Sequence, residues 1–302
     1  MNYWNQDVEQ THKTQPARDS ESSPHTLHQE KSGLSGTAEA PIGVFDSGAG
    51  GLTILTALRQ ELPYENYIYF GDTAHCPYGA RSNGEIIELS IQACHFLIEQ
   101  GVKLIVVACN TASQAALNSL RATFTSIRFV GVVPAVKPAA RATKKGRIGI
   151  VATNQAAKAL YLQQLIDEFA GGIQAYAVGC PELVTLVEKG ELDGPAVEET
   201  VKQALQPIIR EDVDVIVLGC THFPALRGVI ERVTAHRIHI IDSGTAVARR
   251  THYVLDAEGL IQANNSNFAH LGNLQVWCSG DADVFSNVAN KLLGYSISTR
   301  QA

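Results

Sequence analysis

From Ile42 to Cys278 the chain alternates short apolar runs with longer stretches whose apolar residues return every three or four positions. Apolar runs of this length, bounded by glycine or polar residues, read as buried strands of a parallel sheet, and the longer spacing reads as covering helices. Ile42-Gly43-Val44-Phe45 is the first strand, Asp46 to Gly51 a glycine-rich turn, and Leu52 to Leu62 a helix. Tyr67 to Phe70 is a second strand, followed by a loop through Cys76-Pro77-Tyr78-Gly79. Ser82-Asn83-Gly84-Glu85 is a capping box. It opens a helix through Gln100, with Ile87, Ile91, Cys94 and Ile98 on one face and Gly101 as its stop. Lys103 to Ala108 is the strand that delivers Cys109.

After a helix from Ala112 and a strand Phe129–Val133, two prolines and Lys144-Lys145-Gly146 mark a crossing between domains. Ile148 to Thr153 then resembles Ile42 to Ser47. A helix near Ala156–Phe169, a strand near Ile173–Val178, and helices near Leu183–Lys189 and Ala196–Glu211 lead to the strand Val213–Leu218 and Cys220. Strand, helix, strand, helix, strand and cysteine therefore run twice at nearly equal length. Ile238–Ile241 is a further strand, a helix from Thr245 returns the chain to the first half, and Leu274–Cys278 and Asp283–Leu293 are a last strand and helix there. The expected fold is α/β: two pseudo-symmetric α/β domains with mainly parallel sheets facing a shared cleft. The first comprises 41–134 plus 242–302 and the second 135–241. Residues 1–40, rich in Ser, Thr, Gln, Glu and His with almost no aliphatic content, read as a mobile polar tail.

The 302 residues are 45% hydrophobic and 18% charged, which suits a soluble globular chain long enough for two such domains. A net charge of −6 argues against general nucleic-acid binding. No apolar run reaches membrane-spanning length, and the first forty residues lack the apolar core of a signal peptide. Six cysteines without a CxxC give no structural zinc pattern and read as reduced thiols of a cytoplasmic protein.

Two of those cysteines carry the candidate chemistry. Val106 to Ser113 and Val217 to Pro224 share one logic: an apolar run, a cysteine, then hydrogen-bonding residues and a helix-like pattern. Thr111 or Ser113, and Thr221, are the expected N-caps. Each cysteine should lie at the carboxyl end of a strand, where open α/β sheets bind ligands. A thiol of ordinary pKa is only a few per cent ionised at neutral pH, and a helix N-terminus or a nearby cation raises that fraction. Either cysteine alone reads as packing; their paired context favours chemistry, and spacing by itself leaves both readings open. Asp46-Ser47 before the glycine turn is a cap or a carboxylate-binding backbone, and neither a Walker loop nor a dinucleotide fingerprint. His222 serves either the Cys220 thiol or a cap. Cys76, Cys94, Cys180 and Cys278 read as packing.

Together, Asp46-Ser47-Gly48-Ala49-Gly50-Gly51, Cys76-Pro77-Tyr78-Gly79, Ala108 to Ser113, Gly219 to Pro224 and Ile241-Asp242-Ser243-Gly244 resemble, in order, the signatures of bacterial glutamate racemases. The resemblance runs from Pro41 to about Gly294. It implies interconversion of L- and D-glutamate without pyridoxal phosphate or metal, supplying D-glutamate for peptidoglycan. It implies that Cys109 and Cys220 are the acid/base pair, with Asp46 assisting Cys109, and His222 and Glu188 assisting Cys220. It places Asp46, Ser47, Tyr78, Gly79, Asn110, Thr111, Thr153, Thr221 and His222 at the amino acid. Ala156 stands where many members carry a threonine, so one substrate hydrogen bond is expected to be lost or replaced by water. A homodimer, and activation by the precursor UDP-N-acetylmuramoyl-alanine, are further family implications. An aspartate racemase of the same superfamily, a thiol redox protein and a non-catalytic amino-acid-binding module are the competing readings.

Overall fold

The computed structural model describes residues 36–262 and 271–302. The tail expectation for residues 1–40 falls almost wholly outside them. The described strands form two sheets, and every pairing is parallel.

The six-stranded sheet contains β1 (Ile42–Asp46), β2 (Tyr67–Gly71), β3 (Leu104–Val107), β4 (Arg128–Gly131), β9 (Leu274–Cys278) and β10 (Thr299–Gln301), in the order β10-β9-β2-β1-β3-β4. All five residues of β1 are buried because helices cover both faces. Ile42 and Val44 face the apolar sides of α1 (Leu52–Glu61), α10 (Gly244–Ala257) and α11 (Ala282–Leu293). Phe45 faces α2 (Asn83–Glu99) and α3 (Asn110–Thr123). Each such fully buried aliphatic or aromatic side chain contributes about 1.5–3 kcal/mol.

The four-stranded sheet contains β5 (Arg147–Ala152), β6 (Gln174–Gly179), β7 (Val215–Leu218) and β8 (His239–Ile241), in the order β6-β5-β7-β8. On one face lie α7 (Pro181–Glu188), α8 (Pro195–Ile209) and α9 (Arg227–Val233). On the other lie α4 (Val136–Ala142) and α6 (Leu160–Phe169). In both sheets the chain leaves the first strand to one side and comes back on the other, so β1/β3 and β5/β7 are topological switch points. Ligands of open α/β sheets bind outside the carboxyl ends of strands at such points.

Several boundaries differ from the sequence reading. The expected helix Ala156–Phe169 is two pieces, α5 (Asn154–Ala157), capped by Thr153, and α6, separated where Ala159 turns to extended backbone. The proline-rich crossing holds α4, whose Val136 and Ala139 are buried. The buried stripe of α2 is Ile86, Ser90, Ala93, Cys94 and Leu97, one position off the expected face, with Ile87, Ile91 and Ile98 only partly covered. Its capping box is present, with Ser82 N donating to Glu85 at 2.9 Å. Strand β10 was not anticipated; three residues pairing beside β9 carry no periodic signal.

Candidate active site

Cys109 follows β3 and is itself the N-cap of α3; its Sγ accepts from Ala112 N at 3.4 Å. The expected caps Thr111 and Ser113 sit instead inside the first turn. Ser113 Oγ is used elsewhere, donating to Val107 O at 2.9 Å and accepting from Val132 N at 3.0 Å. A sulfur in the cap position receives the backbone N–H that a hydroxyl would have taken, and it meets the positive end of the α3 dipole. Ser47, just after β1, brings its hydroxyl to 3.6 Å from the same sulfur. Burial, followed by the nearby Asp46 charge, pushes the Cys109 thiol up to about 12, against the lowering effect of the Ala112 and Ser47 donors.

Cys220 follows β7 but enters a four-residue 3₁₀ turn, Phe223–Leu226, before α9. Thr221 does not cap it. Its hydroxyl reaches across to Asp46 Oδ2 at 3.0 Å, while its carbonyl accepts from Thr53 Oγ1 at 2.8 Å. His222 is buried, with Nδ1 3.6 Å from Cys220 Sγ and Nε2 2.5 Å from Glu188 Oε1. Glu188 ends α7, and Ala49 N also donates to its Oε1 at 2.8 Å. Burial would lower the His222 pKa, but hydrogen bonds and charge from Cys220, Cys76 and Glu188 outweigh it and hold the ring well above its ordinary 6.5. Burial raises Glu188, yet His222 and the Ala49 N–H prevail and leave it below its ordinary 4.5. Each shift favours the charged form of its group.

Both cysteines line one narrow cavity, and each is 5% exposed. Ser47, Asn110 and Thr111 join Cys109 on its wall; Thr153, Thr221 and His222 join Cys220; Tyr78 and Gly79 close it. The Tyr78 hydroxyl is committed to Asp72 Oδ2 at 2.6 Å. Asn110 Nδ2 is buried and is among the described side-chain atoms that have no protein partner. Thr111 Oγ1 and Thr153 Oγ1 meet at 3.1 Å, one from each wall. Ala156 is buried behind Thr153, its N–H donating to Thr153 Oγ1 at 3.2 Å.

Asp46 and Glu188 stand behind the wall rather than on it. Asp46 is fully buried, and its two oxygens are taken by Gly48 N at 2.7 Å and the Thr221 hydroxyl. Burial raises its pKa above the ordinary carboxylate value despite the His222 charge. The sequence reading overlooked Pro77 and Val184, which line the cavity, and left Cys76 to packing. Cys76 Sγ in fact lies within 4.8 Å of a Glu188 carboxylate oxygen and a His222 ring nitrogen. Val184 has no local signal, being one apolar residue of an amphipathic helix, whereas Cys76 is the first residue of a motif already singled out.

The sequence matches the Asp/Glu/hydantoin racemase family over residues 52–251. A glutamate racemase of Herpetosiphon aurantiacus is 44% identical over 250 residues, covering 83% of this chain and 96% of that protein. The crystal structure of a Bacillus anthracis glutamate racemase, isoform RacE1, superposes with a TM-score of 0.77 at 35% identity, covering 88% of this chain and 98% of that one. That of the Escherichia coli glutamate racemase, in complex with L-glutamate and the activator UDP-MurNAc-Ala, gives 0.75 at 36% identity over 86% and 97% of the two chains.

Proposed function

This chain belongs to the Asp/Glu/hydantoin racemase family and racemises glutamate; we propose that it does so with two sulfurs, one of Cys109 and Cys220 removing the α-proton while the other delivers a different proton to the opposite face. The observation that carries this reading is the shared cavity, which both thiols line from the tips of different sheets. An α-proton leaves one face of the substrate and another arrives on the opposite face, so two acid/base groups on opposite sides invert the centre without turning the substrate over. In one direction a sulfur acts as thiolate base and the other as thiol acid; in reverse the roles exchange.

The planar intermediate places extra negative charge on the α-carboxylate. Preorganised donors at such a position are each worth roughly 3–4 kcal/mol. Asn110 Nδ2, the Ser47 and Thr221 hydroxyls, and backbone N–H groups at the start of α3 are the donors proposed for it. An unpartnered buried amide calls for an explanation, and a bound carboxylate supplies one for Asn110. His222, whose charged form is favoured by Cys220, Cys76 and Glu188, exchanges a proton with the Cys220 side, while Ser47 and the α3 N-terminus serve Cys109. Segments 41–134 plus 242–302 and 135–241 act as two jaws, whose closure excludes water and strengthens these interactions. The product would feed cell-wall synthesis in the cytoplasm, and UDP-N-acetylmuramoyl-alanine is proposed as an activator here, as in the Escherichia coli relative. Among the described residues no helix is long and apolar enough to cross a membrane.

The test is incubation of L-glutamate, and separately L-aspartate, with the protein in D₂O. Optical rotation from L-glutamate should decay to zero while deuterium enters the α-position of the D-enantiomer. Faster exchange on L-aspartate would reassign the substrate, and glutamate bound without exchange would reject the reaction.

A further inference from the structure

The Glu188–His222 pair has a third member that racemisation does not use. Cys76 Sγ, a Glu188 carboxylate oxygen and a His222 ring nitrogen all lie within 4.8 Å of one another. Thiolate, imidazole and carboxylate are the donors zinc prefers, at about 2.3, 2.0 and 2.0 Å, so ligands around one ion stand roughly 3–4 Å apart. Small side-chain rotations bring these three to that spacing. Three protein ligands with a fourth position left to water is a common zinc arrangement, and one thiolate with one carboxylate balances a dication.

We infer that Cys76, Glu188 and His222 form a binding site for a thiophilic divalent cation of the zinc type, and that its occupation inhibits the enzyme.

Three further features fit an ion at this place. An outer cavity of about 650 Å³, separate from the one holding both sulfurs, is lined by Thr73, Ala74, Gly280 and Asp281 and ends on Glu188. Glu188 is therefore open to this outer cavity, while His222 lines the inner one. Ala49 N fixes Glu188 Oε1 at 2.8 Å, the kind of outer hydrogen bond that orients a ligating carboxylate. Gly48 leaves the space: a Cβ there would fall 2.1 Å from Glu188 Oε1 and 2.9 Å from Cys76 Sγ. Binding displaces two protons, one from the Cys76 thiol and one from the ligating ring nitrogen of His222, as metals do on binding cysteine and histidine.

Inhibition follows from the position of His222. Its ring lies between Glu188 and Cys220, 3.6 Å from the Cys220 sulfur. A cation held by Glu188 and the ring freezes the histidine and takes away its partner carboxylate. Both directions of racemisation need both sulfurs, so both slow together. This inhibitory consequence rests on the two-thiol reading; the binding itself does not.

The experiment compares wild type, Cys76→Ser, Cys76→Ala and Cys220→Ser after chelation and buffer exchange. Folding of each is checked by far-ultraviolet circular dichroism. Cobalt(II) is titrated for a thiolate-to-metal charge-transfer band, zinc affinity is measured by competition with a chromogenic chelator, and wild-type racemisation is followed against free zinc. The expected result is one ion per chain, a band in wild type and Cys220→Ser, and reversal of inhibition by EDTA. Both Cys76 variants should lose the band and bind zinc about tenfold or more weakly, as losses of metal-site groups do. Loss of binding in Cys220→Ser with retention in the Cys76 variants would put the ion on the substrate-facing sulfur and overturn the site. Zinc bound through Cys76 with an unchanged racemisation rate would overturn the inhibition. The two-thiol reading is judged apart from either result, by the metal-free activity of Cys109→Ala and Cys220→Ala.

Discussion

The hydroxyl of Thr221 donates to Oδ2 of Asp46 across 3.0 Å, joining the loop that carries Cys220 to the end of β1 beside Cys109. One buried carboxylate thus serves both walls of the cavity. Gly48 N holds its other oxygen at 2.7 Å, so each Asp46 oxygen has a donor and Thr221 supplies the one on Oδ2. Thr221→Val keeps the shape and removes the donor. Leaving a buried carboxylate oxygen unsatisfied costs about 1–3 kcal/mol. Urea denaturation should show that loss, and kcat/KM for glutamate should fall in both directions because the two walls lose their tie.

Cys109→Ala and Cys220→Ala should each abolish racemisation, since removing a positioned acid/base group costs about 10²–10⁴-fold and one remaining sulfur cannot serve both faces. Polarimetry started from each enantiomer checks it. Near-normal activity in either variant would reject the two-thiol assignment.

Glu188→Gln removes a charge that raises the His222 pKa. The imidazolium then deprotonates at lower pH, so the alkaline limb of kcat/KM should move down the pH scale. Stability gives an independent readout with its own sign. Glu188, with a depressed pKa, contributes stability above its ordinary 4.5 and loses it as pH falls through the folded value. His222, with a raised pKa, contributes fully below its ordinary 6.5 and loses it as pH rises through the folded value. The gap in Tm between wild type and variant should therefore be widest from about pH 5 to 6.5. It should close at strongly acid and strongly alkaline pH.

At Gly50 a Cβ would fall 2.3 Å from His222 Nδ1 and 2.7 Å from two other ring atoms. The ring is buried and held by Glu188, so it has no room to yield. Gly50→Ala should cost about 1–3 kcal/mol by overpacking. Activity should drop more steeply than that of a surface control of equal stability, because the displaced ring is the one that faces Cys220.

Lys103 supplies a prediction away from the cavity. Its buried ammonium donates to Glu65 Oε2 at 2.5 Å, Ala38 O at 2.5 Å and Leu260 O at 2.9 Å. Lys103→Met strands Glu65, itself 2% exposed, and removal of one partner of such a pair costs about 3–5 kcal/mol. Thermal denaturation should reveal it, with kcat retained at temperatures where the variant remains folded.

The strands and the two cysteine tips were legible because a parallel strand buried on both faces must be an unbroken apolar run, and both runs end visibly. What stayed hidden depends on distant partners. Lys103, at the start of an apolar run, gives no hint that Glu65 waits 38 positions away in sequence. The roles of Asp46 and Thr221 are set by a contact spanning 175 positions, and no local pattern encodes it. Thr111 and Ser113 were expected as caps because hydroxyls usually fill that position; Cys109 holds it instead, so its sulfur receives the helix's own N–H. Cys76 looked like packing since its neighbours in space come from α7 and the loop after β7.

The Ser243 hydroxyl donates to Val133 O at 2.6 Å, so the segment leading into the four-stranded sheet lies against the one leading out of it. A joint made of two adjacent strands of backbone permits swinging and resists sliding. If the two segments close as jaws, as proposed above, a swing wide enough to admit an amino acid would draw the sulfurs apart and the return swing would bring them back together. On that proposal admission and disarming would be a single movement, and proton transfer would be confined to the posture that already encloses the cargo.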